Sequence, residues 1–190
     1  MLFFYEYFFP AVWIVFLLYW QIKAAGSKAT HRMEPAASRI VRALVFLTAI
    51  VLLCVPHIPL PWLYRAILPE GLWTFWLGAV VTIAGLLFAV WARQHLGSNW
   101  SRSVTIKQDH QLIVTGPYAV VRHPIYTGIL AGFLGSVIAL GQVRGVIAFV
   151  LVFFVLWYKL RMEAQWMRNQ FGVTYETYAQ HVAALVPFVL

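Results

Sequence analysis

The sequence predicts an all-α integral membrane protein with about five transmembrane helices and a cytoplasmic C-terminal helical region. Of its 190 residues, 62% are apolar and 11% are charged, whereas an ordinary soluble domain has about 25% charged residues. A chain of this length cannot bury so much apolar surface in one core, so lipid must cover the remainder. Five apolar runs, with basic residues gathered in alternate connections between them, indicate the same class.

The first three apolar runs make up the N-terminal part, residues 1–92. They cover residues 3–22, 40–55 and 72–92. As a helix, the third run would reach about 30 Å, which is the thickness of the hydrocarbon layer. The first run lacks the basic start and small-residue cleavage site of a signal peptide, so we expect it to be a membrane span of the mature protein.

The last two apolar runs predict an antiparallel helical hairpin over residues 125–160. Residues 125–140 and 146–160 are separated by a five-residue connection that begins and ends with glycine. Such a short connection is typical of helices that pack side by side.

The C-terminal part, residues 93–190, is expected to contain a connector, the hairpin and C-terminal helices at 161–190. A helix ending at Gly172 is predicted because glycine commonly follows the last helical turn. A second short helix is predicted through Tyr175 and Tyr178.

Lys and Arg residues are divided unequally between the two sides of the predicted bundle. Twelve of the 14 fall on the side of the connection after the third run and of the C-terminal tail. Only Arg65 and Arg144 fall on the other side. The positive-inside rule then predicts an external N-terminus and a cytoplasmic connector and C-terminus.

The longest polar connection, residues 93–122, ends in side chains that suit an anionic ligand. Arg122 and His123 stand directly before the fourth run, and Pro124 suits the first turn of a helix. The unpaired N–H groups and positive dipole end of a helix start favour a carboxylate or phosphate. Two alternatives stay open: Arg122 as a headgroup anchor, and His123 as a capping or interfacial residue.

Two tyrosines and two glycines close to this cluster also have structural alternatives. Tyr118 and Tyr126 could belong to an aromatic belt at the membrane interface. Gly128 and Gly132 form a GxxxG pair, which more often marks a close helix contact than a ligand site. The adjacency of these residue types is what favours a binding site.

Glu163 is the second candidate site residue and lies just past the fifth run. Lys159 stands four residues earlier on the same helix face, whereas Arg161 points about 200° away from both. An ionisable group at the edge of a membrane bundle is usually paired or functional. Lys159 and Glu163 are therefore predicted to face a common cavity, the alternative being a simple ion pair on a solvated face.

The sequence predicts neither a metal site nor a nucleic-acid partner. His95, His110 and His123 lack the spacing of metal-binding motifs, and Cys54 is the only cysteine. The basic residues lie between apolar runs, where they record membrane orientation. Dinucleotide-binding, P-loop and hydrolase-elbow motifs do not occur.

Residues 93–187 carry a combination of motifs that is typical of one enzyme family. The motifs are His110-Gln111-Leu112-Ile113, Gly116, Tyr118, Arg122-His123-Pro124-x-Tyr126-x-Gly128, Glu163 and Phe171-Gly172-x-x-Tyr175-x-x-Tyr178. Together they closely resemble the isoprenylcysteine carboxyl methyltransferase family and its bacterial and archaeal relatives. The motif around His123 is shared with a wider membrane group, but the combination is specific.

The resemblance implies an integral membrane methyltransferase that uses S-adenosylmethionine and takes a lipophilic, isoprenylcysteine-like carboxylate from the bilayer. It also implies that residues 93–190 bind the cofactor. The family's cofactor contacts correspond by position to His110, Gln111, Leu112, Ile113, Gly116, Tyr118, His123, Pro124, Ile125, Tyr126 and Glu163. The expected catalytic residues are Lys159, Glu163 and Arg122. Lys159 replaces a family arginine assigned to the substrate carboxylate, and Arg161 is the second candidate for that contact.

The reaction implied by the resemblance needs no general base, because a carboxylate acceptor titrates near pH 4 and is already ionised near neutral pH. Three other functions are considered: an NADPH-dependent sterol-type or steroid-type membrane reductase, a phospholipid N-methyltransferase, and a non-catalytic helical scaffold. The sequence leaves open the methyl acceptor, the oligomeric state and the host membrane.

Overall fold

A computed structural model describes residues 2–24, 35–97 and 112–187 of the chain. Within these ranges the protein is helical, with two short 3-10 turns at Pro61–Tyr64 and Gly116–Ala119 and no β-strand. The α-helices of the described ranges are α1 (Leu2–Ala24), α2 (Ala36–Cys54), α3 (Leu72–Leu96), α4 (Pro124–Leu140), α5 (Val143–Phe171) and α6 (Val173–His181). The predicted all-α class is confirmed.

Each of the five predicted apolar runs is a helix in the structure. Within the described residues, α2, α3 and α5 are long and apolar enough to cross a membrane, and α4, with 17 residues, is shorter. The number of membrane crossings and the division of the chain at residue 92 stay predictions.

The fifth apolar run and the first C-terminal helix form one continuous helix rather than two. The 29 residues of α5 continue to Phe171, because no proline or glycine interrupts residues 146–171. The helix ends, as predicted, at Gly172, whose φ of 52° belongs to the left-handed region that glycine adopts without strain. Its last turns therefore project rigidly beyond the apolar part.

Glycines bring the backbones of α3 and α4 into direct contact. A Cβ atom at Gly128 would lie 2.4 Å from the carbonyl oxygen of Gly85, and one at Gly135 would lie 2.5 Å from that of Gly78. The glycines of each helix are seven residues apart, so they share one face. Close approach at small residues is the usual way in which helices associate within a membrane.

A buried hydrogen-bond network joins α1 to this pair of helices. The Trp13 indole donates to Ser136 Oγ at 3.0 Å, and Ser136 Oγ donates to the Gly132 carbonyl at 2.9 Å. Thr82 Oγ1 donates to the same carbonyl at 3.2 Å, and Tyr5 donates to the Ser136 carbonyl at 3.3 Å. Polar groups inside a membrane bundle must find partners in the protein, and these side chains do so.

Arg144 anchors the end of the bundle that lies opposite the start of α4. Its guanidinium donates to the Val55 carbonyl at the end of α2 and to Gln142 Oε1, at 2.5 and 2.8 Å. It also lies 4.7 Å above the ring of Tyr64. A cation at the C-terminus of α2 complements the negative end of the helix dipole, so α2, α4 and α5 are tied together there.

Gly135→Ala is predicted to destabilise the protein more than Gly132→Ala does. At Gly135 the new Cβ would meet backbone atoms that cannot move away, whereas at Gly132 the nearest atom is a terminal methyl of Leu86, 2.9 Å away. Overpacking of this kind costs about 1–3 kcal/mol. Thermal unfolding of both variants in the same detergent measures the difference, and equal midpoints would contradict close backbone packing of α3 on α4.

Candidate functional site

The candidate site lies where α4 begins and α5 approaches its end. His123 is the residue before α4, Pro124 is its first residue, and Tyr126 lies in its first turn. Lys159 and Glu163 are one turn apart on α5. The antiparallel packing of these two helices brings both groups together, and we call these four side chains (His123, Tyr126, Lys159 and Glu163) the Glu163 cluster.

The Glu163 carboxylate is at the centre of this cluster. Tyr126 Oη donates to Glu163 Oε1 at 2.6 Å, the geometry of a strong charge-assisted hydrogen bond. His123 Nδ1 lies 3.5 Å from the other oxygen, and Lys159 Nζ lies 3.5 Å from Oε1. Glu163 and Lys159 therefore form the i,i+4 ion pair that was considered from sequence. This pair is part of a larger group that also includes Tyr126 and His123.

The aromatic rings add a second set of contacts to the cluster. The His123 and Tyr126 rings stack with centroids 5.4 Å apart and planes 4° apart. Lys159 Nζ lies 5.1 Å from the centre of the Tyr126 ring, within the range of a cation–π interaction. Lys159 is thus held by both an anion and a π face.

The cluster is largely shielded from solvent. The side chains of His123 and Lys159 are 10% and 11% exposed, and that of Glu163 is 25% exposed. Among the described residues, buried His123 Nε2 has no hydrogen-bond partner. A buried polar atom without a partner is costly, so this nitrogen is a natural contact for a bound ligand.

Tyr118 connects the cluster to α3 and to α6. Burial, together with the negative charge of Glu163, raises the pKa of Tyr118, so its phenol stays protonated as a hydrogen-bond donor. Its ring stacks on His95 at the end of α3, with centroids 6.4 Å apart, and its carbonyl accepts a hydrogen bond of 2.5 Å from Tyr178.

The segment after α6 pairs with the backbone at the site. The amides of Arg122 and His123 donate to the Ala183 and Ala184 carbonyls at 2.8 and 3.1 Å. The hydroxyl of Thr127 donates to the Leu185 carbonyl at 2.7 Å. Residues 182–185 therefore cover the turn that precedes α4 and hold His123 in place.

The structure brings several of the predicted site residues together and places others elsewhere. His123, Tyr126, Lys159 and Glu163 form the cluster. Pro124 and Ile125 are buried beside it in the first turn of α4, and Tyr118 is buried next to it. Gly116, with a φ of 60°, begins the 3-10 turn that contains Tyr118. Leu112 and Ile113 are half-buried. His110 and Gln111 lie outside the described residues.

The two predicted arginines have other surroundings. The Arg122 guanidinium donates to the Ala179 carbonyl of α6, so it is turned towards the C-terminal segment. Arg161 is exposed and lies over the ring of Trp157, 5.1 Å from its centre. The 200° offset from Lys159 predicted for Arg161 agrees with this placement.

The C-terminal pairing is what sequence reasoning missed. Tyr178 belongs to a motif that the sequence showed, but its bond to the Tyr118 carbonyl depends on residues 60 positions apart. The hydrogen bonds from the backbone amides of Arg122 and His123 to the C-terminal segment have no signature in the sequence. In the described part of the chain, no group of three His, Cys, Asp or Glu side chains could hold a metal ion.

Comparison with known proteins identifies the class of protein to which the chain belongs. The family model described as phospholipid methyltransferase matches residues 73–174, more than half of the chain. The fold resembles that of the eukaryotic intramembrane Ras methyltransferase, an isoprenylcysteine carboxyl methyltransferase, with a TM-score of 0.57 and 23% identity over 80% of this chain and 52% of that one. The protein is thus a helical membrane protein of the phospholipid methyltransferase class.

The sequence relatives narrow this class. Protein-S-isoprenylcysteine O-methyltransferase A of Arabidopsis thaliana is 31% identical over 139 residues, which are 68% of this chain and 70% of the plant protein. A probable protein-S-isoprenylcysteine O-methyltransferase of Oryza sativa subsp. indica is 31% identical over 64% of this chain. The match spans 65% of the length of the rice protein. The chain belongs to the isoprenylcysteine carboxyl methyltransferase family.

Tyr178→Phe is predicted to loosen the segment that covers the site. Loss of the bond to the Tyr118 carbonyl leaves that acceptor unpaired and costs about 1 kcal/mol. Hydrogen exchange should become faster at the amides of residues 121–123 and 182–185. Thr177→Ala is the control, since Thr177 is exposed and its hydroxyl bonds within α6; equal exchange in both variants would contradict this role of Tyr178.

Proposed function

We propose that the protein is an S-adenosylmethionine-dependent carboxyl O-methyltransferase of the membrane, acting on a lipophilic, S-isoprenylcysteine-like acid. The observation that carries the proposal is the Glu163 cluster, which joins the two sequence regions that carry the family motifs. The names of the relatives support the acceptor, because they describe O-methylation of protein-S-isoprenylcysteine.

The residues of the cluster fit the proposed cofactor. The Glu163 carboxylate can accept hydrogen bonds from ligand hydroxyl or amino groups, and His123 Nε2 is a buried nitrogen that needs a partner. We assign cofactor contacts to these two residues and to Tyr118, Tyr126, Pro124, Ile125, Gly116 and the segment from His110 to Ile113. When bound, S-adenosylmethionine supplies an electrophilic methyl group on a sulfonium cation.

The protein residues then have to position the acceptor and exclude water. An ionised carboxylate attacks without losing a proton, so the alignment of the reacting groups and a water-poor site are the main requirements. The largely shielded side chains of the Glu163 cluster, together with residues 182–185, which cover the preceding turn, provide such surroundings. We place the acceptor carboxylate on the Lys159 side of the cluster.

The proposed site lies at the cytoplasmic surface of a five-span bundle. Twelve of the 14 Lys and Arg residues fall on this side of the chain, which the positive-inside rule assigns to the cytoplasm. The soluble cofactor would enter from water, and the lipophilic acceptor would arrive through the bilayer. The N-terminus would then be external.

A phospholipid amine is the second candidate acceptor, because the matching family model is described as phospholipid methyltransferase. A protonated amine must lose a proton before it attacks, and His123 Nε2 is a nitrogen that could accept it. The products distinguish the two acceptors: a methyl ester releases methanol in mild base, whereas a methylated amine does not.

Glu163→Gln is predicted to weaken binding of S-adenosylhomocysteine, the reaction product, by at least about tenfold. Hydrogen bonds to a charged group contribute about 1.5–3 kcal/mol, and about 1.4 kcal/mol corresponds to a factor of ten. Titration calorimetry of the purified protein measures this affinity. NADPH, titrated in parallel, should not bind.

Glu176→Gln is the matched control, since Glu176 is exposed on α6 and should bind S-adenosylhomocysteine like the unmodified protein. Unchanged affinity in folded Glu163→Gln would reject the assignment of Glu163. Binding of NADPH without binding of S-adenosylhomocysteine would replace the methyltransferase proposal with the reductase.

A further inference from the structure

We propose that the outer face of α5 binds the headgroup of an anionic phospholipid through Arg161 and Arg168. The surface is an open groove, which we call the α5 groove, and it is lined by Tyr158, Arg161, Met162, Gln165, Trp166 and Arg168. Arg161 points about 200° away from Lys159 around the helix, so the groove lies on the other side of α5 from the Glu163 cluster. The inference therefore goes beyond the proposed methyl transfer and does not rest on it.

The exposed side chains of this face form one stripe along α5. Five of them are spaced by four, three, four and three residues, which places them on one side of a helix. They are Phe154, Tyr158, Arg161, Gln165 and Arg168. Phe154 and Tyr158 are 63% and 62% exposed, and the three polar side chains are exposed as well. The stripe thus changes from aromatic to basic in the direction of the helix C-terminus.

This change falls at the height of a membrane surface. α5 is long and apolar enough to cross a membrane. Arg144, near its start, contacts the 3-10 turn that carries the exposed Trp62, and indoles prefer the membrane interface. From Arg144, Arg161 lies about 26 Å and Arg168 about 36 Å along the helix axis.

These heights match the layers of a bilayer. The hydrocarbon layer is about 30 Å thick, and the bilayer with its headgroups is about 40–45 Å thick. Arg161 therefore lies at the edge of the hydrocarbon layer, and Arg168 lies among the headgroups of the leaflet on the side of the Glu163 cluster. Phe154 and Tyr158 precede both arginines and face the acyl chains.

Both arginines have a positive charge that the described part of the chain does not compensate. The Arg161 guanidinium lies 5.1 Å from the centre of the Trp157 ring, which is neutral. Neither guanidinium has a carboxylate partner among the described residues. Glu163 instead pairs with groups on the other side of the helix. Charge complementarity therefore favours an anion in the α5 groove.

Other arginines of the bundle are used differently. The Arg122 guanidinium donates to the Ala179 carbonyl, and the Arg144 guanidinium donates to the Val55 carbonyl. Both side chains join segments of the protein and satisfy the ends of helices. The side chains of Arg161 and Arg168 have no such bond within the described residues, so a structural role does not account for their position on an outward face.

An anionic phospholipid suits the groove because it can use both halves of the stripe. Its acyl chains pack against Phe154 and Tyr158, and its phosphate accepts parallel N–H donors from a guanidinium. Gln165, between the two arginines, adds a neutral amide donor. A soluble phosphate would use the basic half alone. A zwitterionic headgroup would bring an ammonium group to the same two cations.

The test measures lipid binding to the full-length, delipidated protein by native mass spectrometry. Phosphatidylglycerol and phosphatidylcholine with the same acyl chains are titrated in one detergent. A basic residue near a membrane surface contributes a factor of about five to the binding of anionic lipid. The unmodified protein should therefore prefer phosphatidylglycerol by at least about 25-fold. Arg161→Gln and Arg168→Gln should each lower this preference about fivefold.

A photoreactive phosphatidylglycerol, with the reactive group in its acyl chain, locates the bound lipid. Peptides from residues 154–168 should be labelled in the unmodified protein, and labelling there should be lost in the double variant of Arg161→Gln and Arg168→Gln. Changing both arginines to lysine keeps the charges and should preserve most of the preference. This second double variant covers the case in which the first does not fold.

Arg65→Gln is the matched control, since Arg65 is exposed at the opposite end of the bundle and its loss removes the same charge. It should leave the preference for phosphatidylglycerol unchanged. An equal drop in Arg65→Gln and Arg161→Gln would show attraction by net charge alone and would overturn the inference. Equal binding of the two lipids by the unmodified protein would overturn it as well, and so would binding of glycerol 3-phosphate as tightly as the lipid.

Discussion

Direct backbone contact between α3 and α4 is the constraint on which the rest of the structure depends. The glycines at 78, 85, 128 and 135 leave no room for side chains between these helices, so their relative height and rotation are set. The start of α4 thereby comes next to the end of α3, where His95 stacks on Tyr118. This contact therefore sets the height of the turn that carries His123 relative to α3. Small residues thus decide the site geometry from within the bundle.

The Glu163 carboxylate is the complementary constraint at the site itself. A carboxylate in a partly shielded place at the edge of a membrane bundle needs compensation, and the protein supplies it from two helices. Tyr126 and His123 approach from α4, and Lys159 approaches from α5 itself. In contrast, the buried Nε2 of His123 has no hydrogen-bond partner among the described residues. It marks the side of the cluster on which a ligand is expected.

The two ends of the bundle show different uses of arginine. At the end away from the site, Arg144 closes the structure by bonding the last carbonyl of α2 and by lying over Tyr64. At the site end, Arg93 caps α1 and α3, and Arg122 holds the C-terminal segment. These guanidinium groups satisfy carbonyls that helix ends leave open.

The sequence by itself determined the helices and many of the residues that matter. Hydropathy and length predict α1 to α5, glycine predicts the end of α5, and spacing of four places Lys159 and Glu163 on one face; all of these signals are local. It did not reveal the single long α5, the contact between Gly78 and Gly135, the cover formed by residues 182–185, or the packing of α2 against α5. Only the tertiary structure decided those, because they depend on how helices far apart in sequence pack against one another. Tyr126 meets Glu163 across 37 residues, and no local pattern encodes such a contact.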